Sequence, residues 1–483
     1  MNIARKVLTQ YRNIPMSVKA AFWVAACSFL QQAIPFVTAP IFTRMMDTAE
    51  YGVWTVFSSW FSVMTVLISL NLQGGGFNNA MLQFKDNRNA YVSSMVTLEF
   101  CLVAVWGILL FLFRGVFVSL SELPLAYLVV MFALVFYNSV FGLWAQQKRF
   151  EYKYKPLLLV TLLSSVLIPL CGILTIMHAR DKVFGRMASN LVVILVIYSV
   201  LAVIVIVRGR TAFKSEYWRF ALSFNLPLVF HYLSQIVLSS SDRIMIGRIC
   251  GDSFAGIYGV SYTIANIVTI VLTSISGAMG PWLYEKLEAR KYDEIPKVEN
   301  ALAVFFALIA LGPILIGPEV VWIMGPEVYQ AAIWVIPPVS SSVFFMYLYN
   351  IYSNFEFYYK KKKMATIGSV ITALANIGLN YVFINMFGFI AAGYTTLACY
   401  ILYAVCHYIF CRKILKEKNI DVKRVFNNRF LWILGVGVLV IACASNLLYL
   451  NAIVRYCFLV AFAVVAFIKR DWFISVIKSV REK

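Results

Sequence analysis

The sequence predicts an all-α polytopic membrane protein: about fourteen transmembrane helices, arranged as two pseudo-symmetric six-helix lobes followed by two additional helices. Three observations lead there. Of the 483 residues, 61% are hydrophobic and only 13% charged, whereas soluble domains hold roughly 45–50% apolar and 25% charged residues. Apolar runs of about 20 residues, the length that crosses a bilayer as a helix, recur fourteen times with polar breaks of under twenty residues between them. Short sequence matches also return six spans later. No break is long enough for a soluble domain, and no GxxxxGK[ST] or GxGxxG phosphate cradle occurs, which excludes an ATP-driven pump or a kinase.

The spans fall at 20–42, 53–72, 92–113, 124–144, 156–177, 187–207, 222–246, 256–283, 300–321, 331–352, 364–386, 391–410, 430–450 and 454–468. The first follows a polar, basic segment, Met1 to Lys19, and lacks a small-residue cleavage site, so it reads as a retained helix rather than a signal peptide. A net charge of +20 would suggest nucleic acid in a soluble protein; in a polytopic one it reports cytoplasmic loops. The N-terminus, every second loop and the C-terminus hold 34 of the 42 Lys and Arg residues, and the remaining loops hold 8. Both termini are therefore expected in the cytoplasm, and nucleic acid is set aside as a partner. The tetralysine Lys360 to Lys363 and the basic run from Arg412 to Arg429 lie on that side. They read as topology signals that also touch anionic headgroups, with no transport role. The nine cysteines form no CxxC or zinc-ligand spacing, so they read as small core residues, and no metal or cofactor is expected.

The repeat rests on two matches. Phe150-Glu151-Tyr152-Lys153-Tyr154-Lys155 before span five is identical at four of six positions to Phe355-Glu356-Phe357-Tyr358-Tyr359-Lys360 before span eleven, at an offset of 205. Tyr51-Gly52-Val53 returns as Tyr258-Gly259-Val260 at an offset of 207. The agreement divides the chain into lobes at 1–210 and 211–412, with a cytoplasmic loop and two further helices in 413–483. Six spans is an even number, so the lobes are expected to be parallel, the plan of an alternating-access carrier whose site lies between them. Spans thirteen and fourteen stand outside the repeat.

Polar side chains at membrane depth must face a partner helix or a wet cavity, because hydrocarbon offers them nothing. In span seven, His231, Gln235 and Asp242 fall within a sector of about 40° at 100° per residue. In span eight, Tyr258, Tyr262, Asn266, Thr269 and Thr273 share a face, as do Ser58, Ser62, Thr65 and Ser69 in span two and Thr372, Asn376 and Asn380 in span eleven. The span two stripe reads as helix packing, the span seven stripe as a cavity lining. Charge is rarer: Glu99 in span three, and Arg44, Asp242, Arg243 and Arg248 at the outer ends of spans one and seven. A buried lone carboxylate holds its proton, so Glu99 is the candidate for ion coupling, with a hydrogen bond inside a lobe as the alternative. Arg243 either meets a ligand or neutralises Asp242. Pro35, Pro40 and Pro227 let spans one and seven bend.

The stretches Ala39-Pro40-Ile41-Phe42-Thr43-Arg44, Glu50-Tyr51-Gly52-Val53, Leu226-Pro227-Leu228, Ser239 to Gly247 and Ala255-Gly256-Ile257-Tyr258 resemble those of the Wzx-type polysaccharide flippases of the multidrug/oligosaccharidyl-lipid/polysaccharide exporter superfamily. The resemblance covers spans one to twelve. It implies a fourteen-helix carrier, not an enzyme, that moves an undecaprenyl-diphosphate-linked oligosaccharide across the bacterial inner (cytoplasmic) membrane for O-antigen, lipopolysaccharide or related surface polysaccharide. By position, Arg44, Asp242 and Arg243 match the motif residues. A diphosphate sugar lipid needs cations for phosphate, and aromatics and amides for sugar. Arg44, Arg243, Asp242, His231, Gln235, Tyr258, Tyr262 and Asn266 are the resulting substrate-binding candidates, with a proton or sodium ion and a polysaccharide polymerase as expected partners. Two alternatives stay open: a multidrug or organic-cation antiporter, which would want lumenal carboxylates, and a polytopic polymerase, which typically carries a large outer loop.

Overall fold

The computed structural model describes residues 16–468. Among them are fourteen helices of 17 residues or more: α1 (Met16–Met45), α2 (Thr48–Ser69), α3 (Arg88–Leu112), α4 (Leu125–Phe150), α5 (Tyr154–Ile176), α6 (Lys182–Gly209), α7 (Ser215–Cys250), α8 (Asp252–Glu288), α9 (Ile295–Leu315), α10 (Ile336–Tyr358), α11 (Lys362–Phe387), α12 (Ile390–Glu417), α13 (Asn428–Leu448) and α14 (Ala452–Ile468). Twelve are individually long and apolar enough to cross a membrane, and α10 meets the same measure only together with the turn Glu327–Trp334, from which it is bent by 46°, as a broken span or a re-entrant pair. The fourteenth apolar run forms a shorter helix. The basic segments within 1–15 and 469–483, with the Lys362 side chain, lie outside the described residues.

The helices owe their outer faces to lipid. On α6, Val192, Val196, Val200, Val203 and Val207 are all exposed and lie along one stripe, a placement that water would penalise and hydrocarbon does not. The ends are closed by local chemistry: Asp181 accepts the Phe184 N–H at 2.9 Å to start α6, and Arg210 ends it at a φ of 49°. Short helices that hydropathy alone does not announce occupy the breaks, at Phe77–Gln83, Arg114–Ser121 and Gly317–Met324.

Two compact units form, one of Met1–Thr38 with Trp60–Leu233, the other of Ala39–Ser59 with Ser234–Lys483. Helices α1, α2 and α7 each run from one unit into the other. In the first unit α6 packs on α3, α4 and α5. In the second, α10 is the hub, against α8, α9, α12 and α13, around a core that includes Phe306, Phe344, Phe345, Tyr352, Phe355 and Tyr403. The two last helices belong to this unit: α13 lies on α9 and α10, and α14 is anchored by Arg455 to Glu319, which also accepts from the Tyr456 hydroxyl at 2.6 Å.

Candidate functional site

The polar centre of the second unit is built on one turn of α7. Asp242 is fully buried and accepts the Tyr258 hydroxyl at 2.5 Å and the Arg243 backbone N–H at 2.8 Å. The Arg243 Nε lies 3.6 Å from the same carboxylate. The guanidinium also donates to the Ser239 carbonyl and, at 3.3 Å, to the Ser240 hydroxyl. Its carbon sits 4.3 Å from the centroid of the Tyr262 ring, a cation–π contact that gains strength away from water. Asp242 and Tyr258 are thus sealed inside, whereas the Arg243 side chain keeps 16% of its surface open. The arrangement orients a cation: the carboxylate, two serines and an aromatic face fix one guanidinium that remains reachable.

Arg44 has a different setting. Its Nη1 donates to the Pro40 and Ile323 carbonyls at 2.9 and 3.0 Å, and Nη2 to Trp322 at 3.4 Å. It therefore serves the carbonyl ends of α1 and of the Gly317–Met324 helix, where a cation also meets the negative end of the dipole. Beside it, Thr43 donates to the Met324 carbonyl at 2.5 Å. The Tyr51-Gly52 and Ala255-Gly256 stretches form the crossing of α2 and α8: a Cβ on Gly52 would stand 1.8 Å from the Asp252 carbonyl oxygen, and one on Gly256 2.5 Å from that of Thr48. Bare glycine lets these backbones touch.

Of the other candidates, Asn266 is exposed and His231 buried. Gln235 hydrogen-bonds with Tyr403, which also meets Ser369 at 2.7 Å. Thr372, Asn376 and Asn380 are buried, and the asparagines form a relay: Ser241 donates to Asn376 at 2.8 Å, Asn380 to Asn376 at 3.3 Å, and Thr395 to Asn380. This links α7, α11 and α12. Residues not singled out from the sequence include Glu356 and His407, fully buried with 2.7 Å between Oε1 and Nδ1, and Glu299, which accepts from Tyr347 at 2.7 Å. Each partner is 48 or more residues away in sequence, so only the polar residue inside an apolar run signals it. In the first unit, Glu99 is 1% exposed beside Ser139, and its Oε2 has no hydrogen-bond partner among the described residues.

Comparison with known proteins gives three findings. The family described as Polysaccharide biosynthesis protein matches residues 17–287, and the MatE family matches residues 227–382. The Lsg locus protein 1 of Haemophilus influenzae is 23% identical over 354 residues, 71% of this chain and 84% of that protein. Among solved structures, the lipid II flippase MurJ in an inward closed conformation has a TM-score of 0.63 at 12% identity, covering 92% of this chain and 98% of its own. An inward-facing multidrug resistance MATE family transporter of the MOP superfamily has a TM-score of 0.62 at 15% identity, covering 81% and 96%. These likenesses carry the fold.

Proposed function

The chain belongs to the polysaccharide biosynthesis protein family, and from that premise we propose that it flips an undecaprenyl-diphosphate-linked oligosaccharide from the inner to the outer leaflet of a bacterial cytoplasmic membrane. The observation that carries this reading is Arg243, a cation held at the end of a membrane helix by Asp242, Ser239, Ser240 and Tyr262 and left partly open. A diphosphate is the substrate group for which a pre-oriented guanidinium is suited, since it offers paired oxygens to a planar fork. Asn266, exposed on α8, supplies an amide for sugar, while the buried Tyr262 ring helps to hold Arg243. Asp242 and Tyr258 act through Arg243 as positioning groups, and Arg44 through the helix ends it caps. Glu99 is the proposed proton carrier, alternately charged and neutral as the protein cycles. The lobes are 1–210 and 211–412, with both termini in the cytoplasm, and surface polysaccharide assembly with a polymerase is the process served.

A second reading, export of organic cations, is favoured by the MatE match over residues 227–382. Against it stands the charge at the α7 site: the open group is a cation and the carboxylate is sealed, the reverse of what a cationic drug would need. The test is transfer by proteoliposomes of a labelled prenyl-diphosphate oligosaccharide, set beside efflux of an organic-cation dye. Glycan transfer supports the flippase reading; dye efflux without it favours the second.

A further inference from the structure

The first unit carries a basic cavity that the α7 site does not use. Its volume is about 1110 Å³, and it opens where the Lys85–Asn87 turn, the start of α3, the ends of α4 and α6, and the Glu151–Lys153 turn converge. The lining holds Lys85, Arg88, Arg149, Lys153 and Arg208 against only Asp86 and Glu151. Glu151 is already engaged by Lys153 at 2.7 Å and by Lys148, just outside the lining, at 3.6 Å. Four cations therefore face one carboxylate, Asp86.

Two of the four are held in place. Arg88 donates from Nε to the Met81 carbonyl at 2.9 Å and lies 4.9 Å from the Phe150 ring centroid. Arg149 donates from Nη1 to the Gln146 side-chain oxygen at 3.5 Å. The helix end adds to this positive potential: the Asn87 side chain does not cap α3, and Asn89 and Ala90 of its first turn line the cavity, so the positive end of a 25-residue helix lies at the cavity wall.

We propose that this cavity is a phosphoryl-anion site, separate from Arg243, which takes the phosphate-bearing headgroup of a lipid at the cytoplasmic face. The placement rests on the flippase orientation proposed above. Such a group comes from two sources, the diphosphate of a prenyl-linked substrate awaiting transfer or the headgroup of an anionic phospholipid, and both present the same oxygens to Arg88, Arg149 and Arg208.

The experiment uses the full chain, purified and without any transport step, so its outcome is independent of whether glycan is flipped. Farnesyl diphosphate binding is measured by calorimetry, and retention of phosphatidylglycerol against phosphatidylcholine by native mass spectrometry. The wild type is compared with Arg149→Gln/Arg208→Gln, and with Lys85→Gln/Arg208→Gln, whose two side chains are exposed and leave folding undisturbed. Arg412→Gln/Lys413→Gln, at another basic cluster, is the control. Loss of two charge-assisted contacts should weaken the ligand about tenfold or more. A loss confined to farnesyl diphosphate supports a substrate-waiting site, and a loss confined to phosphatidylglycerol supports a phospholipid site. Unchanged binding of both probes in the folded Lys85→Gln/Arg208→Gln variant, or an equal loss in the control, overturns the proposal. Transport failing while these losses persist would overturn the flippase reading and leave the anion site standing.

Discussion

Replacing Arg243 by alanine separates the two roles proposed for its guanidinium, neutralising Asp242 and meeting the diphosphate. Asp242 is fully buried and would lose the cation 3.6 Å away, while keeping the Tyr258 hydroxyl at 2.5 Å and a backbone N–H at 2.8 Å. Breaking a buried ion pair from one side destabilises by about 3–5 kcal/mol, because a charge stays behind without its partner. With two hydrogen bonds surviving, the lower end, about 3 kcal/mol, is expected here. Arg243→Ala should therefore melt earlier, and Arg243→Ala/Asp242→Asn should recover most of that loss, since asparagine still accepts from Tyr258 and carries no charge. Export should behave differently: lost in Arg243→Ala, still lost in the double variant, and partly kept in Arg243→Lys, where the charge survives without the planar fork. The assay is the amount of lipid-linked glycan reaching the outer leaflet, normalised to protein level, beside melting temperature in detergent. Full export by the double variant would refute ligand contact at Arg243 and leave it a structural counter-ion. Equal melting of Arg243→Ala and wild type would refute the ion-pair arithmetic.

At the α2–α8 crossing, Gly52→Ala places a methyl 1.8 Å from the Asp252 carbonyl oxygen; it should destabilise by about 1–3 kcal/mol, read as a lower melting temperature, whereas Gly107→Ala, with open space around it, should not. Burial alone would raise the Glu151 pKa, but hydrogen bonds from Lys153 and Gln147 and the charges of Lys148 and Lys153 outweigh it and hold the carboxyl below its ordinary value. That stabilisation is present above the usual carboxylate range, about pH 4.3, and is lost as pH falls through the lowered folded-state value. Glu151→Gln should thus flatten the acid limb of a melting-temperature profile, and an unchanged limb would contradict the assignment. A reporter active only in the cytoplasm should work when fused near Lys361 and fail near Glu319; the reverse would overturn the orientation. Glu99→Gln should abolish transport driven by a proton gradient while preserving substrate binding, and undiminished proton-driven transport would remove Glu99 from coupling.

Hydropathy made the helices legible because a bilayer imposes one length and one composition on every span. It could not announce Phe77–Gln83, Arg114–Ser121 or Gly317–Met324, which are short and sit at helix ends where amphipathic and loop sequences look alike. The angular reading of α7 placed Asp242 and Gln235 on one face, and charge made Arg243 conspicuous; the geometry then distinguishes the sealed carboxylate from the open guanidinium, which periodicity cannot. Arg44 stood out equally in sequence, yet its partners are the Ile323 and Trp322 carbonyls, backbone groups about 280 residues away that carry no side-chain signature. Glu356 and His407 differ, since both partners are side chains, but their pairing depends on how α10 meets α12, which neither stretch of sequence carries. Composition and periodicity report what each helix tolerates around it; they are silent on which helix supplies it.

Movement of a diphosphate-linked oligosaccharide between leaflets can be followed in proteoliposomes holding the purified protein and a labelled prenyl-diphosphate oligosaccharide. A glycosidase outside the vesicles reads how much substrate becomes accessible over time. With wild-type protein accessibility should rise beyond the half initially exposed, toward completion, and it should stay at that half with Arg243→Ala and with empty vesicles. Accessibility fixed at the starting half with folded wild-type protein, under an imposed proton or sodium gradient of either sign, would contradict such movement.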